Sequence, residues 1–239
     1  MREWLPYCGE APRPQGWMTE WNLAPELLIV LVVALAGIAL SSDRLRRKPA
    51  YAAAATFAFL YISPFCPLGS ALFTVRVIHD VILVALLAPL LVAAFRLDER
   101  EIPGSLTLWT GVHALTFWLW HAPPLYEAAM SSDAAFWMMQ ASLVGSAAIW
   151  WVKVVRAPAP AAALALLATM VAMGALGALL TFSPRAFYAP HWLSVQSWGF
   201  TPLEDQQIAG IVMWAPASLV YLLAALVILY RALGKRAPA

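Results

Sequence analysis

Seven apolar runs, at about 24–40, 50–64, 75–95, 103–121, 134–153, 159–182 and 202–230, divide a chain of 239 residues. Several approach or exceed the roughly 18–20 residues that a helix needs to cross the hydrocarbon core of a bilayer, and none shows the two-residue alternation of a membrane barrel. Charged residues make up 12% of the chain and apolar ones 62%. A soluble domain carries about twice that charge. The expectation is an all-α, polytopic membrane helix bundle of seven transmembrane helices. It forms a single membrane domain, 1–239, with an N-terminal arm over 1–23 and a long loop over 183–201. The second run is the weakest, because Ser63-Pro64 ends it early. If that run is re-entrant, the count falls to six.

Basic residues set the orientation, since short cytoplasmic loops are rich in Lys and Arg. With seven crossings, "DRLRRK", "RLDER", "KVVR" and "RALGKR" share one side and hold eleven of the 15 Lys and Arg. The N-terminus is then outside and the C-terminus cytoplasmic. Trp17, Trp21, Trp118, Trp120, Trp137, Trp192 and Trp198 fall near the expected outer boundary, and Trp109, Trp150 and Trp151 near the inner one, as interfacial belts. The start "MREWLPYCGEAPRPQGWMTEWN" lacks the basic and apolar regions of a signal peptide and reads as a polar arm. "TPLEDQQ" places Thr201 as N-cap, Pro202 at the first helical position and Glu204 at the third, a capping box opening the last span.

All four histidines fall in the outer half: His79, His113, His121 and His191. With Cys66, Asp80, Asp205 and Met213 they make a mixed nitrogen, sulfur and oxygen set. Imidazole suits copper, zinc and iron, and soft sulfur favours Cu(I), so copper is the metal this set fits best. Each residue also has a structural reading. His121 can cap the carbonyls that end the fourth span. Asp80 can pair with Arg76 one turn earlier. His113, about 12 Å deeper than His121, suits an interhelical hydrogen bond. His191 is carried by a loop, where it is either solvated or a ligand. Cys8 and Cys66 both face the oxidising side and can form a disulfide or hold metal. Met170 and Met173 read as packing beside Gly174 and Gly177. Gln206, Gly210 and Met213 share one face of the last span.

The segments "WHAPPLYEAA" (120–129), "LLTFSPRAFYAPHW" (179–192) and "TPLEDQQIAGIVMWAP" (201–216) resemble the CtaG-type cytochrome c oxidase assembly factors of caa(3)-type oxidases. The stretch 63–91 resembles the family's region around its third span. The resemblance implies a multi-pass bacterial plasma-membrane protein that handles copper on its outer face and partners cytochrome c oxidase subunits. It points to His121, His191, Asp205, Gln206, Gln207, Gly210, Met213 and Trp214. The third span departs from the family, with His79-Asp80 where a histidine is expected before the apolar run.

The expected function is copper delivery to a haem-copper oxidase, with His79, His121, His191, Asp80, Cys66, Asp205 and Met213 as the metal-ligand candidates. No nucleophile–base–acid set is visible, so the chain is expected not to be an enzyme. The net charge of +2 names no nucleic-acid partner. Membrane lipid is the expected surround, and a homodimer is left open. Two alternatives stand beside this reading. One is a non-metallic accessory subunit docked to an oxidase; the other is a haem-binding electron-transfer protein using His79 or His113 with His121.

Overall fold

The computed structural model describes residues 6–41 and 45–234. The first five residues, with Arg2, lie outside that description. So do Asp43 and Arg44 of the first basic cluster and Lys235 and Arg236 of the last. Among the described residues there are helices and turns and no strands.

Helix α1 is Pro25–Leu40 and α2 is Arg47–Tyr61. Helix α3, Phe65–Ala71, resumes α2 after the Ser63-Pro64 break. Helices α4 (Phe73–Ile82) and α5 (Ala88–Ala94) form one rod joined by a π turn at Leu83–Leu87. Then come α6 (Leu106–Trp120), the short α7 (Pro123–Ala129), α8 (Asp133–Arg156) and α9 (Ala159–Phe182). The last rod is α10 (Pro202–Trp214) and α11 (Pro216–Gly234). Among the described residues, five stretches are long and apolar enough to cross a membrane: Arg47–Ala71, Phe73–Ala94, Asp133–Arg156, Ala159–Phe182 and Pro202–Gly234. The chain is a multi-pass membrane protein.

Helices α1 and α6, at 16 and 15 residues, are shorter than those five. In α6 the apolar run loses its first residues to Pro103 and to Gly104, which has φ 89°; Ser105 then caps the helix by accepting from the Leu108 amide at 3.0 Å. The second run is longer than expected from the sequence, because Pro64 interrupts it without ending it.

Helix packing closes a ring. The α4–α5 rod packs on α8, α8 on α6, α6 on α9, and α9 on α10 and α11; α10 returns to α4. Helix α2 lies outside this ring against α5, and α1 leans on α2. Within α1, Leu27 and Ile38 are the buried residues. A disulfide between Cys8 and Cys66, 58 residues apart, ties the arm to α3. The loop Trp198 indole donates to Pro12 O at 3.1 Å and its ring meets Trp17 edge-on, so the arm lies across the 183–201 loop.

Two tryptophans expected in the inner belt are core residues. Trp150 is fully buried and donates to Thr110 Oγ1 at 3.1 Å. Trp151 donates its indole N–H to Val84 O at 2.9 Å. The physical reason lies in the π turn. Its i to i+5 register pairs Leu83 O with the Ala88 amide, so Val84 O falls opposite Pro89, which has no N–H. The indole supplies the missing donor. Trp151→Phe keeps the ring and removes only that donor, leaving a buried carbonyl unpaired. A loss of about 1–3 kcal/mol is expected, read as a lower Tm in detergent, with Trp192→Phe, at an exposed position, as the comparison.

Candidate functional site

Helix α4 gathers the charge of the fold. Arg76, His79 and Asp80 stand at i, i+3 and i+4 and therefore share a face. All three are buried to 2% exposure or less. That placement is costly, because an ionisable group in a low-dielectric interior needs compensation. The compensation is partial. His79 Nδ1 is 3.4 Å from Asp80 Oδ1, while Arg76 donates to Cys8 Sγ at 3.7 Å and sits 5.4 Å from the Phe136 ring centroid. Arg76 Nε and Nη1, His79 Nε2 and Gln140 Nε2 are buried without a hydrogen-bond partner. Among the described residues no ion pair joins Arg76 to Asp80, so the i, i+4 pair expected as the structural role of Asp80 does not form.

Other elements close around this face. Tyr61 from α2 packs edge-on to His79 and donates to Gln140 Oε1 of α8 at 2.7 Å. The Asp80 charge reaches His121 and Tyr126, and the Arg76 charge reaches Tyr126 and His191. The four α-helical and loop segments that carry these groups thus share one electrostatic neighbourhood, next to the disulfide.

His121 ends α6. Its Nδ1–H donates to Phe117 O at 2.7 Å, which is the capping role read from the sequence. This bond fixes the tautomer and leaves the Nε2 lone pair for a ligand. His79 is placed similarly, with Nδ1 3.4 Å from the Asp80 carboxylate, Nε2 without a hydrogen-bond partner and the Leu60 carbonyl facing the ring. The Tyr188 hydroxyl donates to His121 O at 2.9 Å, so the loop is riveted to the end of α6.

His191 is buried, not solvated. Its Nδ1 faces the carbonyls of Ser70 and Ala71 without reaching hydrogen-bond geometry, which favours the proton on that nitrogen. Its Nε2 then accepts from the Tyr126 hydroxyl at 2.6 Å. The lone pair that a metal needs is in use. Burial, with the Arg76 guanidinium adding to it, pushes the His191 pKa down to about 3. The folded state therefore prefers the neutral ring, while the unfolded chain protonates near the ordinary value of about 6.5. Stability linked to His191 is complete above about pH 6.5 and is lost as pH falls toward 3, by at most roughly 5 kcal/mol. His191→Gln, which cannot titrate, is expected to flatten the acid limb of a Tm against pH profile. An unchanged limb would assign it to other groups.

The remaining candidates have structural partners. Cys66 is half of the disulfide, so the expectation of a metal-binding thiolate there is corrected: a cystine sulfur carries no thiolate charge. Asp205 Oδ2 accepts from the Phe73 amide at 2.7 Å and Oδ1 from the Thr74 amide at 3.1 Å, capping α4 from a different helix. Gln206 accepts from the Phe187 amide and donates to Leu180 O and Arg185 O, pinning the loop to α9 and α10. Met213 is fully buried among apolar neighbours. His113 Nδ1 lies 3.2 Å from Ser146 Oγ on α8, the interhelical contact expected of it. The described residues contain no group of three or more His, Cys, Asp or Glu able to hold a metal ion.

Sequence reasoning overlooked Tyr126 and Tyr61 and gave Arg76 only the role of counter-ion. The available signal was position: Tyr126 lies inside the quoted 120–129 segment, and Arg76 lies one turn from His79-Asp80.

The chain matches the family model described as cytochrome c oxidase caa3 assembly factor over residues 106–235. The match covers α6 to α11 and begins after the 63–91 stretch. No curated protein and no solved structure matches the chain. The matched range holds more than half of the sequence, including His121, His191 and the Asp205-Gln206 pair, and on that ground the chain belongs to the cytochrome c oxidase caa3 assembly factor family.

Proposed function

We propose that this chain spans the bacterial plasma membrane seven times, with its N-terminus outside, and passes Cu(I) to a subunit of the oxidase it helps assemble, without catalysing a reaction. Helices α1 and α6 supply the two further crossings, and the basic loops supply the orientation. The observation that carries the copper reading is the shared state of His79 and His121: each has Nδ1 turned to an acceptor and Nε2 turned away from it. Such imidazoles are oriented ligands awaiting an ion. The buried Arg76 charge opposes a second cation nearby, which favours the monovalent ion and weak holding, as a carrier requires. Asp80 acts on His79 as a hydrogen-bond acceptor that raises ligand basicity.

The test is a Cu(I) titration of purified protein under reducing conditions. His79→Ala and His121→Ala are each expected to lower the bound copper, and His191→Gln to leave it unchanged. Unchanged stoichiometry in both alanine variants overturns the assignment. A second reading is favoured by the commitment of Cys66, His191 and Asp205 to structural bonds: a metal-free accessory that docks to the oxidase. Metal-free protein that still co-purifies stoichiometrically with an oxidase would select it.

A further inference from the structure

An apolar cleft of about 340 Å³ opens between α1, α2 and α5, away from the polar centre. Val30, Phe57 and Leu87 line its deep end, and Ile38, Ala50 and Ala94 the other. The cleft exists because α1 meets small side chains on α2 and touches the bundle with few of its own residues. From Val30 to Ile38 is eight residues, about 12 Å along the helix axis. One leaflet of hydrocarbon is about 15 Å deep. The cleft therefore runs parallel to the helices for most of one leaflet.

The end near Ala94 is basic. Arg46 donates its backbone N–H to Ala94 O at 3.0 Å, which places the start of α2 at that mouth. Arg46, Arg47 and Lys48 are exposed there. Arg46 and Arg96 are held by Asp98 and Glu99, and Arg47 donates to Ser41 O at 2.8 Å. Among the described residues, cations outnumber acids at the opening. A second helix, about 10 Å across with its side chains, is too wide for this volume, whereas a single hydrocarbon chain is not.

We propose that the cleft binds one acyl chain of an anionic phospholipid, with the phosphate against Arg47 and Lys48. A basic end joined to a hydrocarbon-lined slot matches the two halves of such a lipid, and basic pockets between membrane helices select anionic headgroups. This is independent of the copper reading.

The experiment is native mass spectrometry of the full chain, delipidated and then exposed to phosphatidylglycerol or phosphatidylethanolamine. Wild type is expected to retain one phosphatidylglycerol in preference to phosphatidylethanolamine. Gly37 lines the cleft, and a Cβ built on it meets nothing within 4 Å, so Gly37→Leu fills the space without a backbone clash. This variant is expected to lose the bound lipid while keeping the wild-type Tm. Lys48→Gln and Arg47→Gln are each expected to reduce the preference for the anionic lipid about five-fold. Equal retention of the two lipids, or a Gly37→Leu protein that keeps its lipid, overturns the proposal. So does a wild-type dimer that Gly37→Leu converts to monomer, since the cleft would then be an interface between copies.

Discussion

Gly210→Leu is expected to yield no folded protein, and Gly210→Ala a protein destabilised by about 1–3 kcal/mol or more. The cause is the crossing of α9 and α10, where backbone meets backbone. A Cβ at Gly210 would lie 2.6 Å from Gly177 O and closer still to Thr181 Oγ1. A Cβ at Gly177 would lie 2.7 Å from Gly210 O. Neither neighbour is the end of a flexible side chain on the carbonyl side, so the helices must separate. Separation removes the approach that membrane helices use in place of a hydrophobic driving force. The contrast is Gly111 and Gly145, where a Cβ meets nothing within 4 Å. Alanine at those sites is expected to be neutral or mildly stabilising through helix propensity. Monodispersity and Tm in detergent read the difference, and a Gly210→Leu protein as stable as Gly111→Leu would refute the crossing.

Asp205→Ala is expected to cost about 2–6 kcal/mol, because it strands the buried Phe73 amide and the half-buried Thr74 amide, at about 1–3 kcal/mol each. Asp205→Asn retains one acceptor oxygen and should fall between alanine and wild type. The α4 N-terminus also loses its facing negative charge in both variants. This pair separates two roles that the sequence left together. A residue that caps α4 changes Tm and leaves copper stoichiometry per folded molecule as it was; a residue that binds the ion changes stoichiometry in both variants. The first pattern is the expected one.

The positions of the helical rods were legible because a membrane span is a length of apolar sequence, and the capping box at Thr201 was legible because it is local. Thr201 accepts from the Glu204 amide at 3.2 Å while Glu204 Oε2 accepts from the Thr201 amide at 2.8 Å. What the sequence hid was non-local or register-dependent. Pro89 sits inside an unbroken apolar run, and only Trp151, which donates to Val84 O from 67 residues on, shows why the rod is not broken there. Pro216 likewise divides the last rod after Ala215, inside a stretch that stays apolar enough to span. The polar residues divided in the same way. His113 was correctly read as an interhelical bond because depth along one helix can be counted. Asp205 looked like a dipole-complementing acid of its own helix, yet its oxygens serve α4, a partner 131 residues away.

The π turn at Leu83–Leu87 sits between the residues that gather charge on α4 and the residues that line the cleft on α5. A helix advances about 100° per residue, so one extra residue in a turn sets how the two halves of a rod are phased. Excising a single residue from that turn would re-aim Leu91 and Ala94 relative to Arg76, His79 and Asp80 while leaving both helices intact. The rod thus works like a shaft with a fixed angular offset, and its setting is held by a proline and one indole.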